Sequence, residues 1–286
     1  MKQPLSSQGK ASLNTKNKVP KKIELPATDV KEFRALLKKF LAERDAAGRV
    51  WSSARWGVYA FYDYDGEPIY VGQTNERLRT RVGRHLTNQR TDAVAMRILD
   101  TFEVAEIEIW PLWEYENITK KKDPDTFTAA QSHLNQCEYT AYLNAIDKSR
   151  YKAILNEKIP PVSPRCELPD SLRRPLVSDH IRKEREHPDI RIARRAETIS
   201  RLAAVARERG EVSAGLWRAL VVQAVRLTYL SAQRLAFIEG RPEPDPSSMK
   251  MSELVGSVLE ESSATADLDF ELDDDAMTLD LNGDGA

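Results

Sequence analysis

Arg77, Arg81 and His85 recur at every fourth residue, so on a helix they share one stripe, with Arg84 close by. The neighbouring stripe holds Leu78, Val82 and Leu86, which predicts a helix with these three buried and its cations and imidazole along the edge of the core. An arginine offers an anion a planar fork of donors, and histidine exchanges its proton near neutral pH. Glu138 is the second candidate. From about Phe127 to Arg150 the chain reads as a helix in which Leu134, Glu138, Ala141 and Ala145 form one stripe, so a carboxylate interrupts an apolar face. A buried carboxylate is costly unless it is paired or holds a metal, which makes Glu138 a site candidate on this ground alone. The competing reading is a salt bridge at the edge of the core, with Arg81 as partner.

Other elements must bring these groups together. Residues 56–63 are β-branched or aromatic at most positions and read as a strand. Tyr64, Asp65, Gly66 and Glu67 supply a turn, and Pro68 starts a return strand through Gly72. Thr74 or Asn75 can cap the following helix, with Glu76 near its positive end. If this hairpin packs on the Leu78, Val82 and Leu86 stripe, Tyr59 and Tyr70 point to the same edge as Arg81 and His85. Residues 104–110 alternate at period two and predict a third strand. A helix is expected from Thr28 or Asp29 to before Gly48, and a short one from Thr91 to Asp100.

Gly57-Val58-Tyr59, Tyr70-Val71-Gly72 with the two tyrosines eleven positions apart, and then Arg81 and His85 on a helix, resemble the signature of the GIY-YIG nuclease superfamily. The resemblance covers roughly residues 56–160. It implies a small α/β (α+β) domain, with a mainly antiparallel three-stranded sheet flanked by helices. It further implies DNA as partner and one Mg²⁺ or Mn²⁺ ion held by Glu138, which matches the family's glutamate in the helix after the third strand. Arg81 then contacts the phosphate, and Tyr59 is the base or positions the water, with His85 as its competitor for the base role. Tyr70 and Asn156 position the phosphate. Arg77, Arg79 and Arg84 are expected to meet nucleic acid. With one carboxylate implied, a two-metal mechanism is not expected.

Composition bounds the rest. The chain has 286 residues and a formal net charge of −1. That balance hides an asymmetry. Residues 251–286 carry eleven of the 44 acids and no Lys or Arg, which leaves 43 basic against 33 acidic residues elsewhere, a net of +10. A basic body with an acidic tail suits a protein that meets polyanions. No apolar run reaches 18 residues and the N-terminus has no apolar h-region, so membrane and secretory classes are excluded and a cytoplasmic setting is expected. Cys137 and Cys166 match neither a disulfide framework nor a CxxC zinc site, and His133, His180 and His187 show no ligand spacing.

The organisation expected is a disordered basic leader over 1–27, a nuclease-like domain with an N-terminal helix over 28–165, a helical extension over 166–240 and a disordered acidic tail over 241–286. The extension reads as two helices. Asp189–Arg209 is rich in arginine (191, 194, 195, 201, 207, 209). Ala214–Glu239, capped by Ser213, has an apolar face of Leu216, Leu220, Val221, Ala224, Leu227, Leu230 and Leu235. The pair suggests a helical hairpin packed on the catalytic domain, a DNA clamp or a dimer surface. The function expected is metal-dependent endonucleolytic cleavage of DNA, in bacterial or phage defence or in repair. The alternative is a non-catalytic nucleic-acid-binding module on a nuclease fold. A regulatory variant has the acidic tail occupying the basic groove as a mimic of DNA.

Overall fold

The computed structural model describes residues 27–87 and 98–260. The basic leader, most of the expected 91–100 helix and the acid-rich stretch after residue 260 lie outside the described residues. Within them an antiparallel sheet forms from β1 (Gly57–Tyr62), β2 (Pro68–Thr74), β3 (Glu106–Pro111) and β4 (Leu172–Pro175), in the order β2-β1-β3-β4. The hairpin forms as the turn chemistry predicts: Gly66 takes φ +72°, and the Asp63 carboxylate accepts from the Asp65 and Glu67 amides. Tyr59 faces Gly72 and Phe61 faces Tyr70 across the ladder, and Ile69 is the extra residue of a bulge.

The fold class is the one expected, with one strand more than the three counted from sequence. β4 was missed because Leu172-Arg173-Arg174-Pro175 has no apolar alternation. It is a short edge strand, and edges are commonly marked by charge and proline. Its Arg173 pairs with Glu106 at 2.8 Å and lies 3.6 Å over the Tyr62 ring.

Helices cover both faces of the sheet. These are α1 (Thr28–Leu41), α2 (Leu78–Thr87), α3 (Pro124–Lys148), α4 (Asp179–Arg185), α5 (Pro188–Arg209), α6 (Ala214–Glu239) and a short α7 (Met251–Val255). Tyr59, Phe61, Ile107 and Ile109 share a core with α1, α2, α5 and α6, while Val58, Ala60, Tyr62 and Trp110 pack against α3. With both faces of β1 buried, its sequence is a continuous apolar and aromatic run rather than an alternation. The α3 helix starts three residues before Phe127, because Asp123 caps it and Pro124 fits its first turn.

The arginine-rich α5 turns inward. Asp63, at the end of the hairpin's first strand, is fully buried and accepts from Arg191 (3.0 Å), Arg195 (3.1 Å) and Arg226 of α6 (2.8 Å). Glu103 also accepts from Arg195, and Asp100 accepts from Arg194. Arg191, Arg194 and Arg195 therefore fasten α5 to the sheet instead of facing a nucleic acid. The same network redraws the buried face of α6: Leu216 and Leu230 are buried as expected, but Ala219, Val222, Arg226 and Tyr229 complete that face and Leu235 is half exposed.

Candidate active site

The edge strand β2 organises the site. Being outermost in the sheet, it lets groups from both faces meet around one edge. Tyr70, Val71 and Gln73 of β2, Arg81, Arg84 and His85 of α2, and Glu138 of α3 line one cavity of about 440 Å³, with Asn156 and Pro160. The spacing argument for α2 holds, since Leu78, Val82 and Leu86 are buried while Arg81 and His85 lie beside Tyr59. Thr74 caps the turn before the helix by accepting from the Glu76 amide, and Glu76 pairs with Arg84.

Tyr59 meets both Arg81 and His85 of α2. Its Oη lies 2.9 Å from His85 Nε2 and accepts from Arg81 Nε at 3.4 Å. A neutral His85 with its proton on Nδ1 lets Nε2 accept from the phenol O–H while Arg81 donates to the phenol oxygen. Burial pushes the Tyr59 phenol up, against the pull of Arg81. Burial, together with the charges of Arg81 and Arg84, pushes His85 down to about 4, so the imidazole is neutral at pH 7 and able to take a proton. Tyr70 stacks on Tyr59 with ring centroids 6.2 Å apart, and burial holds its phenol protonated.

Two glycines make this packing possible. A Cβ on Gly72 would stand 2.6 Å from Tyr59 Oη, and one on Gly57 would stand 2.7 Å from the Trp110 carbonyl oxygen. Each triplet thus pairs a residue that lends a ring or a backbone with a glycine that leaves room for close approach.

Glu138 is buried at 8% exposure. Burial pushes its carboxyl up to about 7, against hydrogen bonds from Gln73 and the charge of Arg81. Gln73 is a site residue that the sequence reading passed over. It donates to Asn135 Oδ1 at 3.0 Å, Gln131 donates to Asn135 as well, and Asn75 donates to Gln131. The available signal was Gln131, Asn135 and Glu138 at helical spacing, a polar run beside the apolar stripe.

Asn156 reaches the site in another way. Its Oδ1 accepts from the Val71 amide at 3.0 Å and its Nδ2 donates to the Val71 carbonyl at 2.8 Å, while the Leu155 amide donates to Ile69 O. The 155–156 segment thus satisfies the open edge of β2, next to Tyr70. Of the arginines expected to meet nucleic acid, Arg84 lines the cavity, Arg77 is exposed just before α2, and Arg79 lines a separate groove beside α1. Glu116 lies elsewhere and accepts from the Arg55 amide, while Glu157 also lines the cavity and accepts from the Ser213 hydroxyl.

No helix among the described residues is long and apolar enough to cross a membrane. Glu138, a hard carboxylate lining the cavity together with Glu157, suits an oxygen-seeking divalent ion that keeps several of its waters. Neither a curated protein nor a solved structure matches the chain. Residues 55–123 match the family model for the GIY-YIG catalytic domain. The match takes in Tyr59, Tyr70, Arg81 and His85 and ends before α3, so Glu138 and Asn156 are joined to it by the fold. The chain carries a catalytic domain of the GIY-YIG nuclease superfamily, built on the hairpin and the helix that bring Tyr59, Tyr70, Arg81 and His85 together.

Proposed function

We propose that this protein is a metal-dependent endonuclease that hydrolyses DNA phosphodiester bonds, with a role in restriction-like defence or in repair. The observation that carries the reading is a buried carboxylate, Glu138, in one cavity with Arg81, Tyr70 and His85, the last of which meets the buried Tyr59. A surface that only bound nucleic acid would need the cations but not a desolvated carboxylate among them.

Glu138 would hold one Mg²⁺ or Mn²⁺, and when bound there the ion supplies charge neutralisation at the phosphate and at the leaving 3′ oxygen. Arg81 places its guanidinium against the non-bridging oxygens, where charge develops in the transition state. Base catalysis is shared by a pair. Tyr59 Oη takes the proton of the attacking water while its own proton passes to the neutral Nε2 of His85, so no free phenolate has to form in a buried place. Tyr70 stays protonated and donates to the phosphate. Asn156 is a positioning residue that acts through Val71 and the edge of β2.

Cleavage of supercoiled plasmid with Mg²⁺ or Mn²⁺ tests this reading. Nicked or linear product that vanishes in EDTA is expected. Salt-sensitive DNA binding without any cleavage would transfer the case to the non-catalytic module. Gly72→Ala separates geometry from chemistry, because it removes no reactive group but drives a Cβ into Tyr59. It is expected to keep the fold and lower the cleavage rate about 100-fold, as misplacements of roughly 1 Å do. A rate within twofold of wild type would show that the Tyr59 position is not critical.

A further inference from the structure

Away from the cavity, one cluster has no part in the proposed reaction. His133 and Cys137 are four residues apart on one face of α3, and the loop after residue 160 brings Cys166 against them. A ring nitrogen of His133 and the two sulfurs all lie within 4.8 Å of one another. Nothing in the spacing points to this cluster, since Cys166 is 29 positions from Cys137 and no short ligand spacing exists.

We propose that His133, Cys137 and Cys166 form a zinc site that clamps the 160–171 loop to α3. The sulfurs are 3.5 Å apart. Two thiolates on one tetrahedral zinc, each about 2.3 Å from it, stand roughly 3.8 Å apart, whereas a disulfide would bring them to about 2.05 Å. The third group also favours the ion, because a disulfide needs no imidazole beside it. The fourth position falls to solvent.

The surroundings hold the ligands in place. Tyr115 Oη lies 2.8 Å from His133 Nδ1, the kind of outer partner that fixes a ligand ring. The Cys166 amide donates to Thr140 Oγ1 at 3.0 Å, which docks the loop on the helix. Zinc binding releases the thiol protons to solvent as the two Zn–S bonds form, with no change of oxidation state. Cys137 precedes Glu138, and Pro160 and Pro161 line the active cavity, so the ion would steady both one wall of the site and the turn of α3 that carries its carboxylate.

The test is the metal content of the full chain, purified without chelator and equilibrated with zinc. One tightly held zinc per chain is expected. Cys166→Ser, a half-buried loop position, should keep the fold and lose the zinc, and His133→Asn should weaken retention. Cobalt loaded in place of zinc should give thiolate-to-metal charge-transfer absorption in wild type that is absent in Cys166→Ser. Two freely titrating thiols at saturating zinc would overturn the proposal. So would an intact mass lower by two hydrogens, which signals a Cys137–Cys166 disulfide. Neither readout depends on nuclease activity.

Discussion

Glu138→Gln is expected to abolish Mg²⁺-dependent plasmid cleavage and to make the metal-free protein more stable above neutral pH. The loss of activity follows from the proposed loss of the ion's carboxylate ligand. A metal's contribution of about 4 kcal/mol to the transition state corresponds to a rate loss of roughly 10³-fold. The gain in stability follows from the physics that singled out the residue. Burial raises the folded-state pKa of Glu138 to about 7 from an ordinary 4.5. A raised pKa means that the folded protein holds this group comfortably as the neutral acid. The associated stability is present at low pH and lost as pH rises through about 7, where the buried group must ionise. The cost of that ionisation is on the order of 3 kcal/mol, and glutamine avoids it. Thermal unfolding in EDTA at pH 8 should give a Tm several degrees above wild type, with the difference fading below pH 5. A variant that loses activity and stability together would instead make Glu138 a structural ion-pair partner of Arg81.

Asp63→Asn is expected to lower stability by about 3–5 kcal/mol, a fall in Tm on the order of 10 °C. Asparagine keeps the volume, so the effect isolates the charge. Asp63 is the shared partner of Arg191, Arg195 and Arg226, each almost fully buried. Removing its charge leaves Arg191 to Asp65 and Glu103 and Arg195 to Glu103, while Arg226 gives up its 2.8 Å carboxylate partner. Burial by itself would raise the Asp63 pKa, but Arg226, Arg191 and Arg195 hold the carboxyl below its ordinary value. A lowered folded-state pKa gives stability that is present above the unfolded pKa and lost as pH falls through the folded one. The wild type and Asp63→Asn should therefore converge in strongly acid solution and differ most at neutral pH. Equal Tm values at pH 7 would mean that the three arginines find other compensation. Since α5 and α6 attach to the sheet through this residue, the variant should also lose cleavage on warming well before wild type does.

The local elements of the catalytic domain could be read directly from the sequence. The hairpin, the α2 stripe, and the long helix carrying Glu138 all follow from rules of period, turn chemistry and capping that act over a few residues. Arg81 and His85 at i, i+4 must share a face whatever surrounds them, and Tyr59 and Tyr70 must meet across a tight turn. The helix Ala214–Glu239 was legible too, but its buried face was not, because an arginine sits at its centre. Propensity places Arg226 outside. A partner 163 positions away places it inside.

What tertiary structure alone decided is what touches what over long separations. It brought Glu138 from one face of the sheet and Arg81 from the other around the edge strand. It saturated the Asn156 amide with the backbone of Val71, turned the arginines of α5 toward Asp63, and set Cys166 beside Cys137. None of these contacts leaves a periodic trace, because a polar group's burial depends on the partner it finds and not on its neighbours in the chain. Local rules set the chemical groups and the short elements that carry them, and packing set which of those groups became a site and which became the frame that holds it.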